Sequence, residues 1–140
     1  MTIKEIQNEI IDEFSMFDDW MQRYEYIIEL GKSLPLINEE YKTEENLIKG
    51  CQSKVWLHGE EKDDNIVFTA DSDAILTKGI IAILIRAFSN QKAEDIINAD
   101  TQFIDEIGLK EHLSATRANG LVSMIKNIKM YALAFNAKNN

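Results

Sequence analysis

Apolar residues recur at helical spacing over the first third of the chain. In residues 3–17 the isoleucines and phenylalanines return every three or four positions, which predicts an amphipathic helix. Thr2 and Glu5 form a capping-box pattern at its start. Asp18 or Asp19 is suited to cap a second helix. The apolar positions of that second helix, which Gly31 and Leu34-Pro35 end, are Trp20, Met21, Tyr24, Ile27 and Ile28.

The pattern changes to alternation in the middle of the chain. Residues 36–50 show no regular period and are expected to be irregular. Apolar and polar side chains then alternate over 55–58 and again over 66–70, with the polar, turn-forming segment 59–65 between them. This arrangement predicts an antiparallel hairpin. Since two strands alone are marginally stable, we expect a sheet of two to three strands covered by helices.

Helical spacing returns in the second half of the chain. Ser72-Asp73 is suited to cap a helix that is apolar on nearly every side, which predicts the central buried helix. A short helix near Ala93–Asn98 and a turn near Thr101–Gly108 follow, and Ser114 is suited to cap a final helix. The apolar stripe of that helix is Leu121, Ile125, Ile128, Ala132 and Phe135. Residues 1–140 are therefore predicted to form one α+β domain with a small antiparallel sheet.

The composition and charge balance bound the class of protein and its partners. A hydrophobic content of 45% with 28% charged residues is typical of a globular chain. A net charge of −9 argues against nucleic acid, because duplexes attract basic surfaces. Residues 1–46 hold twelve acids and four bases, whereas residues 112–140 hold four bases and no acid. This asymmetry fits a solvated acidic surface or a protein partner that the acidic half attracts.

Cys51 is the only cysteine, so the chain has no intrachain disulfide. A single cysteine without a signal-like N-terminus predicts a reducing, cytoplasmic location. The longest apolar run, 79–85, falls far short of the roughly 20 residues that a membrane helix needs. No membrane partner is therefore expected.

Residue spacing disfavours three kinds of site. Cys51, His58 and His112 do not match a compact zinc pattern, so no metal is expected. A cysteine hydrolase needs a histidine base near the thiol, and His58 would lie roughly 20 Å away along an extended strand. His112 would approach the thiol only through the fold. The chain also contains no glycine-rich phosphate loop.

A thiol that exchanges sulfur with another protein remains as a hypothesis. Such exchange needs an accessible thiolate in a positive or hydrogen-bond-donating environment. Lys49 and Lys54 flank Cys51, and Arg117 is a further cation from elsewhere in the chain. An inert structural cysteine and a peroxide-sensing thiol are the alternatives that these residues leave open.

The cysteine lies in one of several motifs that follow each other along the chain. Asn46–Trp56 reads NLIKGCQSKVW, and Ser72–Ala82 reads SDAILTKGIIA. The further blocks are Leu30–Pro35, Leu109–Ser114, and Arg117–Leu121 with Met124-Ile125. In this order the motifs resemble the SufE/CsdE family of sulfur acceptors, and the resemblance spans essentially the whole chain.

The resemblance implies a sulfur acceptor that activates a cysteine desulfurase similar to SufS or CsdA. In such systems the desulfurase, which carries pyridoxal phosphate, holds sulfur from free cysteine as a persulfide. The acceptor takes the terminal sulfur and passes it to a scaffold or another acceptor for iron–sulfur cluster assembly. The resemblance thus implies a sulfurtransferase-type carrier without a cofactor of its own, and an α+β fold similar to that of the IscU scaffold proteins.

The resemblance also implies a role for the cysteine motif. Cys51 is expected to be the persulfide-carrying nucleophile, and Gly50 is expected to let its loop move. Either the Val55/Leu57 face or the Trp56 face is expected to line a pocket that shelters the persulfide. The alternative function is a non-catalytic acidic adaptor that docks a partner enzyme through residues 36–46.

Three polar residues are expected to support the thiol loop or the partner interface. They are Gln52, next to the cysteine, and Asp73 and Arg117, which match polar positions of the later motifs. Asp73 also fits a simple helix N-cap, and Arg117 also fits a surface residue in the first turn of a helix.

Overall fold

The computed structural model describes residues 1–139 as an α+β fold in which helices surround one β-hairpin. The predicted fold class is confirmed, with a sheet of two strands. The helices are α1 (Ile3–Ser15), α2 (Trp20–Gly31), α3 (Ile75–Phe88), α4 (Ala93–Asn98), α5 (Gln102–Glu106), α6 (Leu109–His112) and α7 (Ala115–Lys138). The strands are β1 (Val55–Lys62) and β2 (Asn65–Ser72), and two short 3-10 turns occupy Glu39–Tyr41 and Glu44–Asn46.

The predicted caps are confirmed at the starts of α1, α2 and α7. The Thr2 hydroxyl accepts a hydrogen bond from the Glu5 N–H at 3.1 Å, while the Glu5 carboxylate accepts one from the Thr2 N–H at 2.9 Å. Asp19 and Ser114 accept from the backbone N–H groups three residues further on, at 2.8 and 3.3 Å. Helix α1 ends at Ser15 and not at residue 17 as predicted. The N-cap of α2, Asp19, has an extended backbone, so the chain must leave the helical conformation before it.

The hairpin is longer than the sequence pattern predicts. Its register runs from Val55 opposite Ser72 to Lys62 opposite Asn65, so most of the polar segment 59–65 is strand. The turn itself is Asp63-Asp64, with φ of 53° and 68°. Two residues in the left-handed region match the twist of a tight hairpin. Glu60, Glu61 and Lys62 before the turn are therefore exposed strand, and Asn65 after it is partly exposed strand.

The structure does not form a third strand within residues 1–139. Instead Leu36 makes a single parallel bridge to Ala70 on β2, and Leu47 makes a single antiparallel bridge to Trp56 on β1. The irregular segment 36–50 is thus attached to both outer edges of the hairpin. This attachment places the cysteine loop, which follows directly, at the start of β1.

The predicted central helix is confirmed as α3, in which 11 of the 14 residues are buried. It packs against α2 on one side and β2 on another. The approach to α2 is close, since an added Cβ at Gly79 would lie 2.1 Å from the Ile27 carbonyl oxygen. The stripe on α7 faces the same core, with Leu121, Ile128 and Ala132 buried.

Two further predictions for the second half are wrong, and one more is confirmed. Segment 101–108 contains the helix α5 rather than only a turn, because Phe103 and Ile104 are buried in the core. Ala74, not Ser72-Asp73, occupies the N-cap position of α3, and it has no side-chain cap. The short helix Ala93–Asn98 forms as predicted.

None of the helices in residues 1–139 is long and apolar enough to cross a bilayer.

Candidate functional site

Cys51 lies on a short loop that runs from the second 3-10 turn to β1. Gly50 precedes it with a φ of +94°, a left-handed conformation that suits glycine. The loop also lies close to α7, since an added Cβ at Gly50 would stand 2.6 Å from the Ser123 hydroxyl oxygen. Glycine is therefore favoured by the backbone conformation, and any larger residue would also have to displace the Ser123 hydroxyl.

The Cys51 side chain rests against the backbone of α7. Its thiol donates a hydrogen bond to the Gly120 carbonyl oxygen, with the two heavy atoms 3.6 Å apart. An added Cβ at Gly120 would lie 3.3 Å from the Cys51 Sγ, closer than most side chains tolerate. The missing side chain at Gly120 thus makes room for the sulfur, which is partly exposed.

A small cavity of about 40 Å³ adjoins the sulfur. This volume exceeds the roughly 10–15 Å³ that one water molecule requires, so the cavity has room for one added sulfur atom. It opens between the cysteine loop, α3 and the first turns of α7. The lining residues are Cys51, Gln52, Ser53, Thr77, Ile80, Thr116, Arg117, Gly120 and Met124.

The structure brings most of the predicted site residues together. Gln52 and Arg117 line the cavity beside Cys51. Gly50 precedes the cysteine in a left-handed backbone conformation. Asp73 lies outside the cavity, but its Oδ1 accepts a hydrogen bond from the Lys54 N–H at 3.0 Å. Asp73 is therefore attached to the cysteine loop and is not the N-cap of α3.

The predicted pocket wall at residues 55–57 is wrong. Val55 and Leu57 are fully buried in the core beneath the sheet. Trp56 points to the opposite face, where the Lys42 ammonium lies 5.6 Å from its ring centre. None of the three side chains lines the cavity, whose walls come from the cysteine loop, α3 and α7 instead.

Six lining residues are not among the site residues predicted from the sequence, namely Ser53, Thr77, Ile80, Thr116, Gly120 and Met124. Gly120 carried a usable signal, because a glycine inside a long helix destabilises that helix and often marks a close contact. Thr77 carried a weaker one as a hydroxyl in a nearly continuous apolar segment. Met124 belongs to one of the quoted motifs, but nothing in the sequence marks it as a residue beside the cysteine.

Burial raises the pKa of the Cys51 thiol. The fold therefore favours the protonated thiol, and this contribution to stability is present below the pKa of the unfolded thiol. It is lost as the pH rises through the folded pKa. We expect native Cys51 to be alkylated by iodoacetamide with a midpoint at higher pH than the same cysteine in urea. A native midpoint at or below the denatured one would contradict this assignment.

The Asp73–Lys54 hydrogen bond predicts the effect of a substitution on loop mobility. In Asp73→Ala the Lys54 N–H loses its acceptor, so the Cys51 loop should open more often. A hydrogen bond to a charged acceptor contributes about 1.5–3 kcal/mol, and less where it is exposed to solvent. We therefore expect Cys51 alkylation at neutral pH to become several-fold faster. Asp73→Asn, which keeps an acceptor oxygen, should change it less.

The control for this experiment is Asp18→Ala, since Asp18 is an exposed acid outside the cysteine loop. It should leave the alkylation rate of Cys51 unchanged. An Asp73→Ala rate equal to that of the unmodified sequence would show that the Lys54 hydrogen bond does not restrain the loop.

The two histidines lie away from the cysteine cavity. His58 stacks on Tyr41 with ring centres 3.9 Å apart and pairs with Glu60 at 3.2 Å. His112 stacks on Trp20 with ring centres 4.1 Å apart. Neither lines the cavity, so its walls contain no histidine base for Cys51. In the described part of the chain, no group of three or more His, Cys, Asp or Glu side chains is placed to hold a metal ion.

Comparisons with known sequences point to one family. A family model named SufE, described as an Fe-S metabolism associated domain, matches residues 8–132. The chain is 45% identical over 130 residues to an uncharacterised SufE-like protein of Rhizobium meliloti (strain 1021), covering 89% of this chain and 93% of that protein. It is 43% identical over 127 residues to an uncharacterised SufE-like protein of Rhizobium etli, covering 87% and 86% respectively.

A plant relative and a solved structure complete the comparison. The chain is 34% identical over 131 residues to the chloroplastic/mitochondrial SufE-like protein 1 of Arabidopsis thaliana, covering 93% of this chain but 35% of that protein. The solution structure of a hypothetical protein from Thermus thermophilus superposes with a TM-score of 0.77 at 14% identity, over 92% of this chain and 94% of that one. This structural match shows the shared fold.

Proposed function

Since this chain belongs to the SufE family, which is associated with Fe-S metabolism, we propose that it accepts sulfur from a cysteine desulfurase. Cys51 takes the sulfur as a persulfide and relays it to iron–sulfur cluster assembly, and the protein thereby activates the desulfurase. The observation that carries the proposal is the position of the only thiol. It lies on a loop beside a cavity with room for one more sulfur atom.

The chemical step needs no oxidant, reductant or cofactor on this chain. The Cys51 thiolate attacks the outer sulfur of the persulfide on the desulfurase. A new S–S bond forms at Cys51 while the S–S bond of the donor breaks, and the donor cysteine leaves as a thiolate. The transferred sulfur keeps its oxidation state, and the exchange involves no net oxidation or reduction. The pyridoxal phosphate that first removes sulfur from cysteine belongs to the partner.

The resting geometry requires the loop to move before attack. The thiol is protonated by burial and bonded to the Gly120 carbonyl, so a partner must draw it away from α7 and allow it to ionise. Gly50 would let the backbone of the loop change conformation. Breaking the exposed Asp73–Lys54 hydrogen bond would free the other end of the loop. Returning to the cavity would then shelter the persulfide from solvent, and Arg117 at its wall supplies positive charge.

The fate of the sulfur follows from the number of cysteines. No second thiol on the chain is present to displace the sulfur as sulfide with formation of a disulfide. The persulfide must therefore pass its outer sulfur to a thiol on another protein, a scaffold or a further acceptor. A reducing cytoplasm suits a carrier with one unpaired thiol.

The test is sulfide production by a purified desulfurase of the same organism, supplied with cysteine and a mild reductant. We expect this protein to increase the turnover of the desulfurase, because it removes the persulfide that blocks its active site. A variant with charge reversals at Glu39, Glu40 and Glu44 examines the adaptor alternative. An adaptor would lose stimulation in this variant and keep it without Cys51, the opposite of the result expected for a sulfur carrier.

A further inference from the structure

Thr77 is a buried polar residue at the wall of the Cys51 cavity. Its exposed fraction is 8%, and it lies in the first turn of α3. The only other buried polar residue in the described chain is Gln7, whose amide donates to the Asp100 carbonyl oxygen at 2.9 Å. Thr77 lines the cavity, and its hydroxyl takes part in no side-chain hydrogen bond within residues 1–139. The hydroxyl is not fully enclosed, since Trp20 Nε1 is the one buried side-chain polar atom without a partner in this part of the chain. An accessible hydroxyl at a cavity wall, with no partner on the protein, is free to donate a hydrogen bond to a group that enters the cavity.

We propose that the Thr77 hydroxyl donates a hydrogen bond to the outer sulfur of the Cys51 persulfide, so that α3 supplies the binding site for the transferred atom. The inference rests on the proposed function, because it concerns the persulfide that the function requires. It assigns a positioning and stabilising contact to a residue outside the cysteine loop.

The size and position of the cavity support this contact. The outer sulfur would lie about 2 Å from the Cys51 Sγ, which is the length of an S–S bond. Cys51 and Thr77 line the same cavity of about 40 Å³, so an atom attached to one lies near the other. A second sulfur on Cys51 would therefore enter the space that Thr77 borders.

The charge of the outer sulfur also favours a donor at Thr77. A persulfide is more acidic than a thiol, and a partly buried anion needs hydrogen-bond donors. Thr77 belongs to the first turn of a 14-residue helix, and Ala74 provides no side-chain cap for the N–H groups there. These groups favour negative charge nearby. Arg117, at the same cavity wall, adds a full positive charge.

The competing explanation is that Thr77 only fills space in the core. Valine has nearly the same shape as threonine and lacks the hydroxyl, so Thr77→Val separates the two explanations. Thr77→Ser keeps the hydroxyl and removes a methyl group, and it is the matched control. A packing role predicts that valine behaves like threonine, whereas a donor role predicts that serine does.

The experiment prepares the persulfide without a desulfurase. Ellman's reagent converts Cys51 to a mixed aromatic disulfide, and hydrosulfide then displaces the aromatic thiolate. A new S–S bond forms between hydrosulfide and the Cys51 sulfur as the mixed disulfide breaks, which leaves the persulfide. Intact mass spectrometry then follows alkylation of the outer sulfur by iodoacetamide as a function of pH. The same measurement on unloaded protein gives the pH profile of the Cys51 thiol.

We expect Thr77→Val to raise the pKa of the outer sulfur by about one unit. At a pH well below that pKa, about tenfold less of the persulfide is then ionised and able to react. Thr77→Ser should show the same persulfide profile as the unmodified protein. In unloaded Thr77→Val, the pH profile of the Cys51 thiol should be unchanged. An unchanged persulfide profile in Thr77→Val would overturn the inference. An equal shift for the loaded and unloaded protein would also overturn it, since Thr77 would then act on the Cys51 sulfur.

Two controls keep this result decisive. Thermal unfolding reports whether Thr77→Val folds, and Thr77→Ala, which also lacks the hydroxyl, takes its place if it does not. Because the persulfide is loaded chemically, the outcome does not depend on any desulfurase. A failure of enzymatic sulfur transfer would contradict the proposed function alone, whereas an unchanged pH profile would contradict only the role of Thr77.

Discussion

Replacing Cys51 by serine is expected to abolish both sulfur acceptance and stimulation of the desulfurase. A serine hydroxyl does not attack a persulfide under conditions where a thiolate does, because it stays protonated and is a poor nucleophile for sulfur. The loss should be complete, since the chain has no second thiol to replace Cys51. Sulfide production with excess cysteine measures the effect, and the rate should fall to that of the desulfurase alone.

The fold should tolerate this substitution. The thiol makes one weak hydrogen bond, to the Gly120 carbonyl, and a serine hydroxyl can donate to the same oxygen. We therefore expect the midpoint of thermal unfolding to change little. Stimulation that survives in a folded Cys51→Ser protein would refute the carrier function and favour the acidic adaptor.

Replacing Gly79 by alanine is expected to cause the largest loss of stability. The added methyl group would lie 2.1 Å from the carbonyl oxygen and 2.7 Å from the carbonyl carbon of Ile27. These are backbone atoms of α2, so α2 and α3 must separate. Overpacking of a core typically costs about 1–3 kcal/mol, and the better helix propensity of alanine offsets roughly 1 kcal/mol of it. Because the contact is with backbone, we expect a net loss of about 2 kcal/mol or more.

Urea unfolding of Gly79→Ala measures this loss, and Gly31→Ala is the graded control. Gly31 faces Gly79 across the same helix contact, but its added methyl group would lie 3.0 Å from the nearest atom, the Gly79 nitrogen. It should therefore destabilise the protein less. Equal stability of Gly79→Ala and the unmodified protein would show that α2 and α3 do not pack as closely as described.

The parts of the fold that follow from local sequence were predictable. Thr2, Asp19 and Ser114 cap their helices because a short polar side chain precedes a helical apolar pattern. The hairpin follows from alternation, although its length does not. The polar residues between the two apolar runs belong to strands that extend beyond the core, where exposed positions carry no apolar signal.

The candidate site was predictable only where its residues share one motif. Gly50, Cys51 and Gln52 are adjacent in sequence, so the motif identifies them together. Thr77 and Gly120 reach the cysteine because α3 and α7 pack on either side of its loop. That contact is set by tertiary packing and leaves no spacing pattern in the sequence. Residues 55–57 were placed at the cavity wrongly for the same reason.

The central claim is that Cys51 receives sulfur from a desulfurase, and one mass measurement tests it most directly. A desulfurase is first loaded with persulfide by limited cysteine, and free cysteine is removed. An equimolar amount of this protein is then added, and its intact mass is recorded before and after treatment with dithiothreitol. We predict a gain of one sulfur atom that dithiothreitol reverses and that Cys51→Ser lacks. No gain in mass, or the same gain in Cys51→Ser, would contradict the claim.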